Sequence, residues 1–210
     1  MGEPRSGMNG SDEAASGWTR ARALRAAAAG GLLAAGGAAL GAAGGLRTSA
    51  AAPSQRQDAE ILNVFLLLER VQDAFYKDAV RRGRLRGELL EYARTVGAQE
   101  TEHVAFLVER LSGAADPAPR TDFGDVPDGD ESFRSTAIEL EEATIGAYIA
   151  QGANLTREEV GRVAGLVSVE ARQAAWIRDL AGQSPAPNAA DPPGDPADAV
   201  ARLRDRGFLR

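Results

Sequence analysis

The sequence predicts an all-α fold: a four-helix bundle with a long crossover between helices 2 and 3, followed by a short C-terminal helix. Four long segments place apolar residues at helical spacing, and strand signals are absent. A stretch rich in Pro, Gly and Asp, residues 113–130, separates the second segment from the third. Two helical hairpins joined by one long connection predict a crossover bundle rather than a simple up-down bundle.

The first hairpin consists of two helices joined by a short turn. The first helix is predicted over residues 55–82, because Ser54 and Gln57 can form a capping box at its start and Gly83 can end it. The second helix is predicted over residues 85–111.

The second hairpin follows the crossover. Its first helix is predicted over residues 131–151, closing at Gly152. Thr156 and Glu159 have the spacing of a capping box, so the fourth helix is predicted to begin there and to run to about residue 181.

These elements divide the chain. We expect residues 54–183 to form the bundle and residues 184–210 to form a Pro-rich tail with a short helix. Asp195 and Pro196 are suited to begin that helix, and Gly207 is suited to end it. We expect the tail to pack across one end of the bundle.

Residues 1–53 read as an export signal. Arginines in the stretch WTRARALR precede residues 26–46, a run of 21 residues without charge, and the small residues Ser49, Ala50 and Ala51 could form a cleavage site. The run is rich in Gly and Ala and therefore poorly suited to a stable membrane span. The alternatives are an uncleaved anchor, which would associate with the membrane, and a disordered Ala/Gly-rich extension.

The arginine-containing part of this segment resembles the twin-arginine signal pattern. It matches that pattern at Thr19, Arg20, Leu24 and Arg25. Ala21 replaces the second arginine and Ala23 replaces the usual Phe. We therefore expect an extracytoplasmic location, secreted or in the cell envelope, reached by a route that is twin-arginine-like.

Composition excludes several kinds of site. The chain has no cysteine, which excludes iron–sulfur clusters, zinc–thiolate sites and thiol nucleophiles. The only methionines, Met1 and Met8, lie in the N-terminal segment, so no haem site is expected. The net charge of -6 argues against nucleic acid as a partner. A single histidine without a nucleophile elbow argues against a hydrolytic triad.

The two hairpins resemble each other in sequence. When LERVQDAFY (residues 68–76) is laid over LEEATIGAY (residues 140–148), Leu, Glu and Tyr coincide. When ETEHVAFL is laid over EARQAAWI, Glu100 coincides with Glu170, but Gln173 stands where the first hairpin has His103. The chain therefore reads as a duplicated hairpin, whose matching residues would converge across a pseudo-twofold axis.

The repeated positions carry metal-binding chemistry. A di-iron or di-manganese bundle requires one Glu from each of two helices and Glu-x-x-His from each of the other two. A buried carboxylate needs a partner or a metal. The predicted ligands are Glu69, Glu100, His103, Glu141 and Glu170.

The residues around these ligands have alternative interpretations. Gln173 could be a weak substitute ligand, or its amide could bridge Glu141 or Glu170 in a polar core network with one carboxyl protonated. Tyr76 and Tyr148 could be buried phenols that donate to backbone or carboxylate groups, or they could be redox-active. Glu142 is the second choice as a ligand.

The segments DAEILNVFLLLERVQDAFY, VGAQETEHVAFL, ELEEATIGAY and SVEARQAAWIRDLAGQSPAP resemble the ferritin-like domain family often found in exported bacterial proteins. The resemblance covers roughly residues 58–207. It implies a ferritin-like four-helix bundle with a di-metal centre at the positions named above. The fourth helix of that family usually reads Glu-x-x-His, and this chain departs from it at Gln173.

Two functions from different classes follow. The first is an exported protein with an iron or manganese centre, which would oxidise ferrous iron or react with oxygen or peroxide and which Gln173 makes asymmetric, mononuclear or vacant. The second is a metal-free ferritin-like bundle that serves as a structural or stress-related interaction module of the cell envelope. A homo-oligomer is compatible with both, whereas nothing in the sequence favours an iron-storage cage.

Overall fold

Two antiparallel helical hairpins form most of the described part of the chain. A computed structural model describes residues 52–210, and it contains no strand in that range. The helices are α1 (Gln55–Arg82), α2 (Gly87–Leu111), α3 (Asp130–Gly152), α4 (Arg157–Leu180) and α5 (Pro196–Asp205). The all-α four-helix bundle with a long crossover and a short C-terminal helix is therefore confirmed. The predicted export signal, apart from its last two residues, lies outside the described residues.

The first hairpin follows the local signals in the sequence. The Ser54 hydroxyl accepts a hydrogen bond from the Gln57 N–H at 3.3 Å, which caps the start of α1. Gly83 ends α1 in the left-handed conformation, with φ of 63°, and its N–H donates to the Val80 carbonyl. Helix α2 begins two residues later than predicted, because Arg86 is extended, with φ of -136° and ψ of 163°.

The second helix of the second hairpin, α4, starts differently from the prediction. The Thr156 side chain does not cap α4. Its hydroxyl donates to Asp58 Oδ2 at 2.7 Å, and its backbone N–H donates to Asp58 Oδ1 at 2.8 Å. Glu159 accepts hydrogen bonds from Arg110 and Arg162 instead of reaching back to Thr156. The predicted capping box is wrong, because the buried Asp58 and the two arginines offer charged partners that the sequence pattern does not reveal.

Aromatic packing joins the hairpins at the crossover. The rings of Phe75 in α1 and Phe133 in α3 stack with centroids 5.3 Å apart, and Phe123 of the crossover packs edge-on against Phe75. The Asn63 amide holds the start of the crossover by donating to the Ala114 carbonyl and accepting from the Asp116 N–H. The crossover therefore contributes to the core, although it contains only a short 3-10 turn, Val126–Asp128.

The C-terminal tail lies along α3. Its Gly194 N–H donates to the carbonyl of Gly146 at 2.9 Å, and a side chain on Gly146 would press against the Gly194 backbone. The Arg206 guanidinium donates to Glu139 and Thr136, which lie on the same helix as Gly146, about two to three turns before it. The expectation that the tail crosses one end of the bundle is wrong, because the glycine pair and Arg206 bind it to the side of α3.

None of the helices in residues 52–210 combines the length and the apolar character that crossing a membrane would require.

The Asp58 carboxylate gives a test of how the hairpins are joined. Replacing it by Ala leaves the Thr156 N–H and hydroxyl without their buried acceptor, so we expect the free energy of unfolding to fall by about 1–3 kcal/mol. Urea denaturation followed by circular dichroism measures the change. Glu60→Ala, at an exposed position of the same helix, is the control and should have little effect. Equal stability of the two variants would contradict the assignment.

Candidate metal centre

A cluster of ionisable side chains lies inside the bundle. Helix α1 contributes Glu69, α2 contributes Glu100 and His103, α3 contributes Glu141 and α4 contributes Glu170. All four carboxylates are fully buried, and His103 is 6% exposed. The i, i+3 spacing on α2 brings Glu100 and His103 onto one face of the helix.

The His103 imidazole is at the centre of this cluster. Its Nδ1 lies 2.9 Å from Glu170 Oε1, 3.2 Å from Glu69 Oε2 and 3.3 Å from Glu100 Oε2. One potential ligand atom from each of these four residues lies within 4.8 Å of all the others. Residues from three helices therefore converge as the repeat predicts.

Glu141, the fifth predicted ligand, lies outside this group of four. Its Oε1 accepts hydrogen bonds from the hydroxyls of Tyr76 and Tyr92, the latter at 3.3 Å. Its Oε2 accepts from Gln72 Nε2 at 3.1 Å. The structure thus surrounds Glu141 with neutral donors, whereas the other three carboxylates surround a histidine.

Gln72 is a residue of the buried cluster that the sequence did not reveal. It is 1% exposed and lies three residues after Glu69, on the same face of α1. Its Nε2 also faces Glu170 Oε2 at 3.4 Å, and its Oε1 accepts a hydrogen bond from the Thr144 hydroxyl at 2.7 Å. The signal for Gln72 in the sequence is a polar side chain on the helical face that also carries Glu69 and Tyr76.

Each of the two tyrosines at equivalent positions of the repeat donates a hydrogen bond to a glutamate of the other hairpin. The Tyr148 hydroxyl of α3 donates to Glu69 Oε1 of α1 at 2.6 Å, and the Tyr76 hydroxyl of α1 donates to Glu141 of α3. Burial raises the pKa of both phenols well above the ordinary value, and the charge of the carboxylate each one contacts raises it further. Both tyrosines are therefore neutral donors that orient carboxylates.

Gln173 does not play the part that the alternative interpretation gave it. Its Nε2 donates to Gln99 Oε1 at 3.0 Å, and its Oε1 is buried without a hydrogen-bond partner. The expected amide bridge to Glu141 or Glu170 is wrong for Gln173. Gln72 makes that bridge from the opposite hairpin.

Glu142 is excluded from the cluster by its position on α3. It follows Glu141 directly and is therefore rotated by about 100° around the helix. Its side chain is 50% exposed and accepts a hydrogen bond from Arg178 at 2.8 Å. The second choice of ligand is therefore wrong.

Burial and mutual repulsion set the protonation of the carboxyl groups. Burial raises the pKa of Glu100 and of Glu141 well above the ordinary value, and the charge of Glu170 raises both further. Burial and the charge of Glu69 raise the pKa of Glu170 to about 7. Burial opposes ionisation of Glu69 as well, but its hydrogen bonds, led by the one from His103, bring its pKa below the ordinary value.

Burial acts on the pKa of the histidine in the opposite direction. Burial acts to lower the pKa of His103, but the close carboxylates of Glu100, Glu170 and Glu69 outweigh burial and raise the pKa to about 12. In the absence of a metal ion, these pKa shifts favour the imidazolium form of His103 and the protonated form of Glu100.

Several carboxylate oxygens around His103 lack a hydrogen-bond donor, so a cation could bind there. A single Nδ1–H cannot serve three carboxylates, and both oxygens of Glu100 and Oε1 of Glu170 have no properly directed hydrogen-bond donor. Buried oxygens without donors are energetically unfavourable. Three carboxylates with one imidazole form a donor set that suits iron or manganese. The residues present therefore fit a metal ion.

Comparison with known proteins agrees with the fold and the cluster. The family model described as "Ferritin-like domain" matches residues 57–183, more than half of the chain. The search of curated proteins found no match. The matched range contains all four helices of the bundle apart from the first residues of α1, together with every residue of the cluster. The chain belongs to the ferritin-like domain family.

Proposed function

We propose that this protein is an exported ferritin-like protein that binds iron or manganese through Glu69, Glu100, His103 and Glu170. The observation that carries the proposal is the approach of four potential ligand atoms to within 4.8 Å of one another in the buried interior of the bundle. Glu141, which the sequence also suggested as a ligand, contacts tyrosines and Gln72 instead.

The charge of the cluster supports a cation. If all three carboxyl groups ionise, they repel one another strongly in the buried site, and one imidazolium neutralises only part of that charge. A divalent ion would provide two positive charges and would accept the oxygen lone pairs that receive no hydrogen bond. Loading the site requires His103 to lose its Nδ1 proton and Glu100 to lose its carboxyl proton, because metal ligands must be deprotonated.

The surrounding residues would serve a redox centre. Bound iron or manganese would supply redox chemistry, with oxygen or peroxide as the electron acceptor and ferrous iron as a possible donor, and the protein would then be an oxidase or ferroxidase. Tyr148 fixes the orientation of Glu69 through its 2.6 Å hydrogen bond. Full burial of the carboxylates excludes bulk water from the site. The tyrosine hydroxyls and the carboxyl groups provide places where a proton can be held near the centre.

The alternative function, a metal-free interaction module of the cell envelope, has one observation in its favour. The His103 imidazolium contacts three carboxyl groups at once, so the cluster can be partly neutralised without any metal. The oxygens that lack hydrogen bonds favour the metal-binding proposal instead.

Metal binding is tested by removing the imidazole. In the full chain purified without chelator, we expect iron or manganese on elemental analysis. We expect His103→Leu to lower the affinity for MnCl2, measured by calorimetric titration, by about 100-fold or more, since changes to residues that merely support ligands already reach that range.

Glu142→Gln is the matched control, because Glu142 adjoins the cluster in sequence but is half exposed and pairs with Arg178. Its affinity for Mn²⁺ should equal that of the parent. Metal at trace level in the parent, or equal binding by the His103→Leu variant, would refute the proposal and favour the metal-free module.

The pH dependence of stability gives a second test. The raised pKa values of Glu100, Glu141 and Glu170 contribute stability that is complete below their ordinary value of 4.5 and is lost as pH rises through the folded-state value, about 7 for Glu170. The contribution of His103 is complete below 6.5 and also declines above it. The lowered pKa of Glu69 acts in the opposite sense, but only below 4.5.

We therefore expect the melting temperature of the chelator-treated full chain to fall by about 5 °C or more between pH 5.5 and 8.5. Glu170→Gln should flatten this dependence, and saturating MnCl2 should raise the melting temperature most at the higher pH. Thermal unfolding by circular dichroism measures all three. A melting temperature that rises with pH in the metal-free protein would be inconsistent with these shifts.

Export is tested separately. The arginines and the uncharged run within residues 1–53 support it. A reporter fused behind residues 1–53 should accumulate outside the bacterial cytoplasm, whereas the same reporter without the segment should remain inside. Fractionation followed by immunoblotting measures the distribution. Retention of both fusions in the cytoplasm would refute export.

A further inference from the structure

The duplicated hairpin provides two halves for a metal centre, and their chemistry differs. The first half consists of Glu69, Glu100 and His103, and the corresponding residues of the second half are Glu141, Glu170 and Gln173. A second ion in the second half would have to lie against Glu141 and Glu170.

The Gln72 side chain already joins those two carboxylates. Its single Nε2 donates to Glu141 Oε2 at 3.1 Å and to Glu170 Oε2 at 3.4 Å. An amide NH2 group has two hydrogens, so it can serve both carboxylates at the same time. It thereby links the two residues that a bridging cation would otherwise link.

Thr144 fixes the orientation of this amide. Its hydroxyl donates to Gln72 Oε1 at 2.7 Å, which directs the NH2 group toward the carboxylates. Thr144 lies three residues after Glu141, as Gln72 lies three residues after Glu69, so the two are equivalent positions of the repeat. The shorter Thr144 side chain bonds to Gln72 and to no carboxylate of the first half. The two halves therefore differ at this position as well as at His103 and Gln173.

Within the second half, Glu141 satisfies its hydrogen bonds without an ion. Both Glu141 oxygens have donors, from Tyr76 and Tyr92 on one side and from Gln72 on the other. Both Glu100 oxygens, in the half that contains His103, have none with proper geometry. The carboxylate oxygens without donors, both of Glu100 and Oε1 of Glu170, therefore belong to groups that surround His103 rather than to Glu141.

From these contacts we infer that the Gln72 amide takes the place of a second cation and restricts the centre to one metal ion per chain. This inference rests on the proposed metal-binding function. It identifies Gln72 as a second determinant of the stoichiometry, in addition to the absence of a histidine at position 173.

The test compares four forms of the full chain: the parent, Gln173→His, Gln72→Thr, and the double variant with both substitutions. Gln72→Thr copies the residue of the equivalent position in the repeat and removes the amide. Each protein is loaded with MnCl2, desalted and analysed for manganese per chain by mass spectrometry. Electron paramagnetic resonance provides a second readout, because two manganese ions that share carboxylates interact magnetically and one isolated ion does not.

We expect one ion in the parent and in Gln173→His, and two coupled ions in the double variant. Gln72→Thr alone should bind the first ion with unchanged stoichiometry. The same Gln→Thr change at position 57 of α1, which is partly exposed and outside the cluster, combined with Gln173→His, controls for effects on the helix and should bind one ion.

Two ions in the parent or in Gln173→His would overturn the inference while leaving metal binding intact. A single ion in a folded double variant would overturn it as well, because removing the amide would then not open the second position. No ion in any form would instead refute the proposed function itself. Circular dichroism establishes that each variant is folded, and the parent and Gln173→His decide the inference even if the Gln72 variants fail to fold.

Discussion

The structure depends on how four buried glutamates are neutralised inside one helical bundle. Carboxylates without partners are strongly unfavourable in an apolar core, and here Glu69, Glu100, Glu141 and Glu170 are all fully buried. The imidazole of His103 contacts three of them, and tyrosine and glutamine donors contact the fourth. Because these contacts come from four helices, any change in the packing of the hairpins would break them.

The two halves of the duplicated hairpin meet this constraint in different ways. Both oxygens of Glu141 receive hydrogen bonds from neutral groups, so this carboxylate needs no ion. Around His103, three carboxyl groups share one Nδ1 atom, and several oxygens are left without a donor. A cation beside His103 would bind oxygens that lack donors, whereas a cation beside Glu141 would gain little. An ancestral duplication can thus give one binding position rather than two.

Most of the fold and part of the site follow from the sequence. The parts that do not follow are contacts that depend on how the helices pack. Helical periodicity and terminal signals such as Ser54 and Gly83 predict the helices because these effects are local. The repeat places the glutamates because equivalent positions share a helical face. Gln72 was missed because hydrogen bonding between its amide and Thr144, Glu141 and Glu170 depends on how three helices pack. The Thr156 cap failed for a similar reason, since its partner Asp58 is 98 residues away in the chain.

Anomalous diffraction from crystals of the manganese-loaded full chain would test the account most directly, because it locates the metal relative to individual side chains. The account predicts one anomalous peak at bonding distance from His103 Nδ1 and from the carboxylates of Glu69, Glu100 and Glu170. It predicts no peak between Glu141 and Glu170, where the Gln72 amide lies. An empty position beside His103 in the manganese-loaded protein, or a peak only in the half that contains Gln173, would contradict it.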